Sequence, residues 1–332
     1  MLVLNAAQTE DLLDPDDLRG AVASAMAELS AGTASVPPRI AARVDDVGGM
    51  LLAMPAYLPD VLGGGGGLAA KLVSLFPLNA ATGRPTHQAV IVVFDVTTGE
   101  PTALMDGTVI TAARTAAGSA LSVELLARQE SKILAILGTG VQARWHAHAV
   151  VRVRPFDHVR VAGRDIGRTQ TLARQLNDML DADVRPSPTY EHACRGADVI
   201  CAATHSPSPV VRREDVAPGT HITSVGYNIS GRELDSRIVA DATVVVESRA
   251  AALAAPPAGS NDIRFAIEEG LITAGHIHAE IGELVAGTRP GRESASAITL
   301  YKSVGIAVQD VAAAALVLAA ARAHGVGVDV AL

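Results

Sequence analysis

Aromatic side chains are scarce in this chain of 332 residues, at 3% of the total, while hydrophobic residues together reach 49%. The apolar content is therefore Ala, Val, Leu and Ile, a soluble globular composition with small packing units rather than a disordered one. Basic excess is also missing. The formal net charge is -8 and the isoelectric point about 5.7, which argues against nucleic acid or an anionic membrane as partner and for a small molecule. Cysteine stands only at Cys194 and Cys201, in no metal or redox spacing, so both read as buried thiols. Long apolar runs are lacking too. The longest, Val311 to Ala321, is mostly alanine and too short to span a bilayer, which makes it a buried helix. The opening Met1-Leu2-Val3-Leu4-Asn5 has no basic region followed by an apolar core, so no signal peptide is expected and a cytoplasmic location is.

What is present begins with Ile133 to Leu137, an apolar run that leads into Gly138-Thr139-Gly140-Val141-Gln142-Ala143. This is G-x-G-x-x-A between a strand and a helix. Gly138 makes the tight turn, Gly140 lets the backbone approach a pyrophosphate, and Ala143 keeps the helix close to its strand. A nicotinamide or flavin cofactor follows from that pattern. Apolar, β-branched runs recur at 158–162, 197–202, 221–225 and 242–246, with helix-like stretches such as 168–180 between them, which predicts a doubly wound parallel sheet.

The first third has another rhythm. Pro15 to Ala31 reads as one amphipathic helix with acidic residues at its start and Gly32 at its end. Short strands follow at 40–44, 50–54, 72–76, 89–94 and 102–105, with 95–100 as a hairpin loop, predicting an antiparallel α+β unit. Residues 115–128 read as a connecting helix. The glycine run 63–67 predicts a mobile loop without binding side chains, and 254–259 a second break.

Arg39 after Pro37-Pro38, Lys71 entering a strand and Arg114 after Thr111-Ala112-Ala113 stand in apolar settings. A bidentate arginine suits a substrate carboxylate, and a buried lysine that loses its proton near neutral pH can act as acid or base.

These residues fall within an ordered set: Pro37-Pro38-Arg39, Met54-Pro55-Ala56-Tyr57, Lys71-Leu72-Val73, Pro85-Thr86-His87-Gln88, Met105-Asp106-Gly107, Arg114-Thr115-Ala116-Ala117, Leu137 to Ala143, Arg232-Glu233-Leu234-Asp235 and Lys302-Ser303-Val304-Gly305. In that order they resemble the ornithine cyclodeaminase/μ-crystallin family over essentially the whole chain. The resemblance implies an α/β fold in which a Rossmann domain, residues 116–305, holds NAD(H) or NADP(H). An N-terminal α+β domain, residues 1–115 completed by the C-terminal helix in 306–332, would bind substrate and form a homodimer. It also implies that Arg39 and Arg114 grip the substrate carboxylate and that Lys71 sits beside the reacting carbon and nitrogen. His87 and Thr115, with Arg114, fall on the cofactor side. Gly138, Thr139, Gly140, Val141 and Gln142 would line the pyrophosphate, Thr204 the nicotinamide ribose and Val304 the nicotinamide face.

Cofactor choice is argued from charge. NAD sites place an acidic residue at the end of the second strand, whereas NADP sites need a cation for the 2′-phosphate. Here Gly163-Arg164-Asp165 stands there, with Arg168 a turn later, so NADP(H) is favoured and Asp165 leaves NAD(H) open. Cyclodeaminases of the family carry an Asp in the loop that here reads Gly226 to Gly231. Asn228 takes the nearest place, and an amide cannot accept a proton as a carboxylate does. The expectation is therefore an NAD(P)H-dependent reductase of small α-imino acids, converting Δ1-pyrroline-2-carboxylate or Δ1-piperideine-2-carboxylate to L-proline or L-pipecolate. The alternatives are ornithine cyclodeaminase, an alanine-type dehydrogenase and a non-catalytic NADPH-binding protein. No metal is expected: His146 and His148 point to different helix faces, and His276, His278, Glu280 and Glu283 lack a ligand spacing.

Overall fold

The computed structural model describes residues 1–61, 63–228, 230–255 and 258–331, with every side chain among them but that of Ala80. Pro256 and Pro257 of the expected break, and Ile229 of the loop that holds Asn228, lie outside the described residues. The chain forms two compact units, Met1–Arg114 with Gly305–Leu332, and Thr115–Val304.

The first unit is a seven-stranded sheet built from β1 (Leu2–Leu4), β2 (Ile40–Val44), β3 (Gly49–Leu58), β4 (Gly67–Leu75), β5 (His87–Phe94), β6 (Pro101–Asp106) and the C-terminal β15 (Val328–Asp329), in the order β15-β1-β6-β5-β4-β3-β2. The strands β2 to β6 pair antiparallel, as short alternating runs joined by turns should. Burial has period 2: Leu52, Met54, Ala56 and Leu58 on β3, Ala69 and Lys71 on β4, and Ala89, Ile91 and Val93 on β5 all face inward. Two long helices complete the unit, the first packing on the second and the second on the sheet. One is α2 (Pro15–Ala31), which follows the short α1 (Ala6–Asp11), opens on an Asp14 cap and closes on left-handed Gly32. The other is the last helix, α11 (Ala307–His324), which packs on α2 and on β3, β4 and β5. By length and composition α11 could cross a bilayer, yet most of it is buried here.

One expectation changes. Lys71 does not enter its strand but sits inside β4, because β4 begins at Gly67. The glycine run forms a turn ahead of β4, with the Asp60 carboxylate accepting from Gly63 N at 2.9 Å and Gly65 N at 3.1 Å. The terminal strands β1 and β15 carried too few residues for a period to be read.

The second unit is an eight-stranded, all-parallel sheet of β7 (Ile133–Leu137), β8 (His158–Ala162), β9 (Asp183–Pro186), β10 (Val199–Ala202), β11 (His221–Ser224), β12 (Thr243–Val246), β13 (Ile277–Glu280) and β14 (Thr299–Lys302). The order is β13-β12-β14-β11-β10-β7-β8-β9. The strand order reverses between β7 and β10, and ligands of such sheets bind at the carboxyl ends beside that switch point. Helices α3 (Gly107–Leu126), α4 (Val141–Val150) and α5 (Ile166–Met179) connect and cover it, followed by the shorter α6 (Tyr190–Cys194), α7 (Ser236–Asp241), α8 (Arg249–Ala252), α9 (Asn261–Glu268) and α10 (Ile281–Val285). Small side chains on α3 and α4, among them Ala116, Ala120, Ala143 and Ala147, pack on Leu134, Ile136 and Val161, and a second apolar cluster is built around Ala135, Leu137, Ile200 and Ile222. Cys194 and Cys201 are both buried, and burial pushes the Cys194 thiol up to about 12.

Candidate active site

In the first unit the structure gathers three of the expected residues. Lys71 reaches the buried face of β4 by strand alternation, between Met54 on β3 and Ile91 on β5. Arg114 arrives from α3 and Arg39 from the segment before β2. Lys71 and Arg114 share Asp310 on α11, and Arg39 meets Gly305 just ahead of that helix. Lys71 Nζ lies 2.7 Å from Asp310 Oδ2, and Arg114 Nε donates to Asp310 Oδ1 at 3.0 Å, with all of these side chains at most 5% exposed. Arg114 Nη1 also donates to Gln309 Oε1 at 3.0 Å, and Arg39 Nη2 donates to the Gly305 carbonyl at 2.7 Å. Gly305 has φ +76°, and a Cβ there would stand 3.0 Å from Arg114 Nη2, so glycine is needed both for the turn and for the guanidinium. Burial drives the Lys71 ammonium down to about 8; Asp310 opposes this fall, while Arg114 and Arg39 add to it. Burial pushes the Asp310 carboxyl up, but Lys71 and Arg114 outweigh it and hold it below the ordinary carboxylate range. The result is a cluster of three cations around one carboxylate, a charge pattern suited to an anion, with a lysine able to hold or give a proton near neutral pH. His87 is exposed at the start of β5 beside Thr86 Oγ1, opposite Leu75 rather than Lys71.

In the second unit Gly138 closes β7 with φ +119°, its N–H donating to Ala162 O at 2.8 Å; a Cβ there would meet Ala203 O at 2.5 Å. Gly140 is the N-cap of α4 in extended conformation, with no side chain capping the helix and open space above it. The first N–H groups of α4 are thus left for an anion. Gln142 Oε1, in the first turn of α4, is buried with no hydrogen-bond partner among the described residues. A cleft of about 400 Å³ runs on from Thr139 to Asp165, Arg168 and Thr171. Val141 is 62% exposed, a large apolar side chain turned away from the core at the start of α4. These features fit a dinucleotide pyrophosphate on α4 and its adenosine end in the cleft. Arg164 is exposed just past β8, while the Asp165 carboxylate caps α5 by accepting from Arg168 N at 2.8 Å.

Buried carboxylates hold the loops that follow the remaining strands. Glu233 accepts from Thr204 N at 2.6 Å, Thr204 Oγ1 at 2.7 Å, Ser224 Oγ at 2.8 Å and Gly226 N at 2.9 Å. Burial pushes its carboxyl up, with Lys302 pulling against it. Lys302 Nζ lies 2.8 Å from Asp262 Oδ2 and donates to Ser224 Oγ at 3.1 Å and Gly226 O at 2.8 Å. Glu247 accepts from Ser303 Oγ at 2.9 Å and Val304 N at 2.8 Å, fixing the residue expected at the nicotinamide face. The Asn228 amide is engaged on both sides: Nδ2 donates to His205 O at 3.2 Å, in the segment after β10, and Oδ1 accepts from Ser230 N at 3.0 Å within its own loop. Thr115 is buried near the start of this unit.

Sequence reasoning missed Asp310, Gln309, Asp262 and Glu247. A signal existed for the first two, since Gln309-Asp310 interrupts an otherwise apolar helix. Glu233 and Lys302 stood inside quoted motifs with no role attached. His146 is not directed to a ligand; its Nε2 lies 2.9 Å from Ser119 Oγ and its Nδ1 2.7 Å from Gln142 O.

Fold and geometry together define a class: an α/β protein of two units, one a parallel sheet whose first turn has the shape of a dinucleotide-binding turn, the other carrying a buried cluster of Lys71, Arg114 and Asp310. The model of the ornithine cyclodeaminase/mu-crystallin family matches residues 1–325, and the chain belongs to that family. It is 33% identical over 329 residues to a Δ1-pyrroline-2-carboxylate reductase of Bacillus cereus, covering 98% of each. Among solved structures, that of Thermococcus litoralis Δ1-pyrroline-2-carboxylate reductase with NADH and L-proline is similar at TM-score 0.93 and 39% identity, covering 99% of this chain and 100% of the other. An archaeal alanine dehydrogenase dimer with bound NAD is similar at TM-score 0.91 and 32% identity, covering 100% and 99%.

Proposed function

We propose that this protein is an NAD(P)H-dependent reductase of small α-imino acids, with Δ1-pyrroline-2-carboxylate to L-proline and Δ1-piperideine-2-carboxylate to L-pipecolate as representative reactions. The observation that carries this reading is the cluster in which buried Lys71 and Arg114 share Asp310 of α11 and half-buried Arg39 meets Gly305 just before that helix. Arg114 and Arg39 hold the substrate carboxylate through charge-assisted hydrogen bonds. Lys71 Nζ gives a proton to the imine nitrogen, so one N–H bond breaks on lysine and one forms on substrate; the neutral amine then takes a proton back from water. Gly138 to Gln142, Thr204 and Val304 would hold the dinucleotide, whose dihydronicotinamide would supply a hydride for the imine carbon. The similar Thermococcus litoralis enzyme, whose solved complex contains NADH and L-proline, supports the same assignment.

Cyclodeamination is disfavoured because Asn228 has no carboxylate to take an amine proton and its amide is engaged by His205 O and Ser230 N. NADP(H) is the proposed cofactor over NAD(H): Arg164 and Arg168 supply cations near the adenosine end, while the Asp165 oxygen that would accept ribose hydroxyls caps α5. The relatives with bound NADH and NAD speak for the other choice, and a cofactor comparison decides it. A homodimer is proposed through the outer face of the first sheet, where Leu51 and Val90 are 48% and 41% exposed on the same side as Leu72.

The test follows NADPH and NADH oxidation at 340 nm across a panel of cyclic and acyclic α-imino acids. Ornithine with NAD⁺ and an ammonia readout, and alanine with NAD⁺, serve as controls. Turnover of the cyclic imines supports the reading. Turnover confined to ornithine or to alanine overturns it, the latter being the reading favoured by the similar alanine dehydrogenase.

A further inference from the structure

Lysine occurs at only three positions, Lys71, Lys132 and Lys302, and arginine fills the rest of the 27 cationic sites. Lys132 is half exposed, while Lys71 and Lys302 are 3% and 2% exposed. An ammonium carries three N–H donors. Those of Lys302 are matched by Asp262, Ser224 and Gly226. Among the described residues Lys71 meets Asp310 alone, which leaves donors for a ligand. The groups that face it are Asp310 from α11, Arg114 from α3 and Arg39 from the segment before β2, with neutral Gln309 behind Arg114. One carboxylate thus stands among three cations, and it divides its two oxygens between Lys71 and Arg114.

We propose that Asp310 is the positioning residue of this site: a single carboxylate, carried in by the last helix, sets the distance and orientation of the proton-donating Lys71 relative to the carboxylate-holding Arg114. Oδ1 accepts from Arg114 Nε and Oδ2 faces the Lys71 ammonium as an ion pair, so neither cation can swing away without leaving a buried counter-charge behind. Asp310 also supplies the negative charge that offsets the repulsion of the two guanidinium groups on the ammonium. The role of Lys71 as proton donor rests on the reductase reading; its placement by Asp310 does not.

The experiment uses the full chain labelled with [ε-¹³C]lysine, whose three lysines give three separable signals, in the unaltered protein and in Asp310→Asn and Asp310→Glu. The Lys71 signal should titrate near pH 8 in the unaltered protein and about one pH unit or more lower in Asp310→Asn, the size expected when a close counter-charge is removed. In turnover, the alkaline limb of kcat/KM should move down with it. Asp310→Glu keeps the charge but lengthens the arm. Its Lys71 midpoint should stay near that of the unaltered protein while kcat/KM for the imine falls about tenfold, a misplacement effect, and this variant carries the test should Asp310→Asn fail to fold. An unmoved midpoint in folded Asp310→Asn, or full kcat/KM in Asp310→Glu, overturns the proposal. Should no imine be reduced at all, the proposed activity fails, while the lysine titration still decides the part played by Asp310.

Discussion

Lys71 in the first unit and Lys302 in the second are both buried ammonium groups facing an aspartate, at 2.7 and 2.8 Å, yet their surroundings differ in one respect. Lys302 also donates to Ser224 and Gly226, and its aspartate accepts from the backbone N–H of Glu233 and Leu234 at 2.8 Å each. Every donor there is matched, and the network fixes loops. Lys71 is matched once and crowded by guanidinium groups, which is unfavourable for folding and suited to binding an anion. The same residue pair thus builds rigidity where it is saturated and chemistry where it is left incomplete.

Substitution of each lysine by methionine separates the two roles most sharply. Lys71→Met should lower kcat/KM for imine reduction by roughly 10²- to 10⁴-fold, the usual worth of a general acid, with NAD(P)H affinity by fluorescence titration nearly unchanged. Lys302→Met should instead destabilise by about 3–5 kcal/mol in urea unfolding, because Asp262 and Glu233 lose their shared cation. Equal loss of stability in both variants would erase the distinction.

The buried neutral histidines of the second unit extend the structural side of the comparison. Burial lowers His146 to about 4, against the pull of the Gln142 carbonyl, and lowers His221 to about 3, with Arg292 and Arg154 adding to the effect. The unfolded chain binds these protons near pH 6.5, so between there and the folded values it binds more protons than the native state and stability falls on acidification. For His146 the loss is on the order of 3 kcal/mol between pH 6.5 and 4. His146→Gln should flatten the dependence of the urea midpoint on pH, and an unchanged slope would remove His146 from this account.

The smallest effect expected is at Gly305→Ala. A left-handed alanine costs about 1–2 kcal/mol, and its Cβ would press on Arg114 Nη2. The KM for substrate should rise several-fold with the cofactor Kd unmoved; a change in the cofactor Kd alone would mean that the strain is felt elsewhere.

Much of this was legible before any coordinates. Period-2 runs and the strand-turn-helix at 133–143 carry their fold locally, since side-chain alternation and the φ of Gly138 depend on near neighbours. Helix and strand bounds shifted where tertiary packing extends an element: β4 starts four residues ahead of Lys71, and α3 begins at Gly107 rather than at 115. Local pattern could not say that an Asp165 oxygen caps α5, or that the Asn228 amide bonds His205 O and Ser230 N, because a polar side chain reads alike whether its partner is backbone or ligand.

The sequence alone determined the dinucleotide turn, the order of motifs and the presence of Arg39, Lys71 and Arg114 as chemistry-bearing residues. Tertiary structure alone decided what surrounds Lys71. Asp310 stands 196 residues from Arg114 along the chain and meets it only because α11 packs back on the first sheet. The charge state of a buried lysine is set by neighbours in space, through desolvation and Coulomb terms that fall off with distance in ångströms and not with separation in sequence.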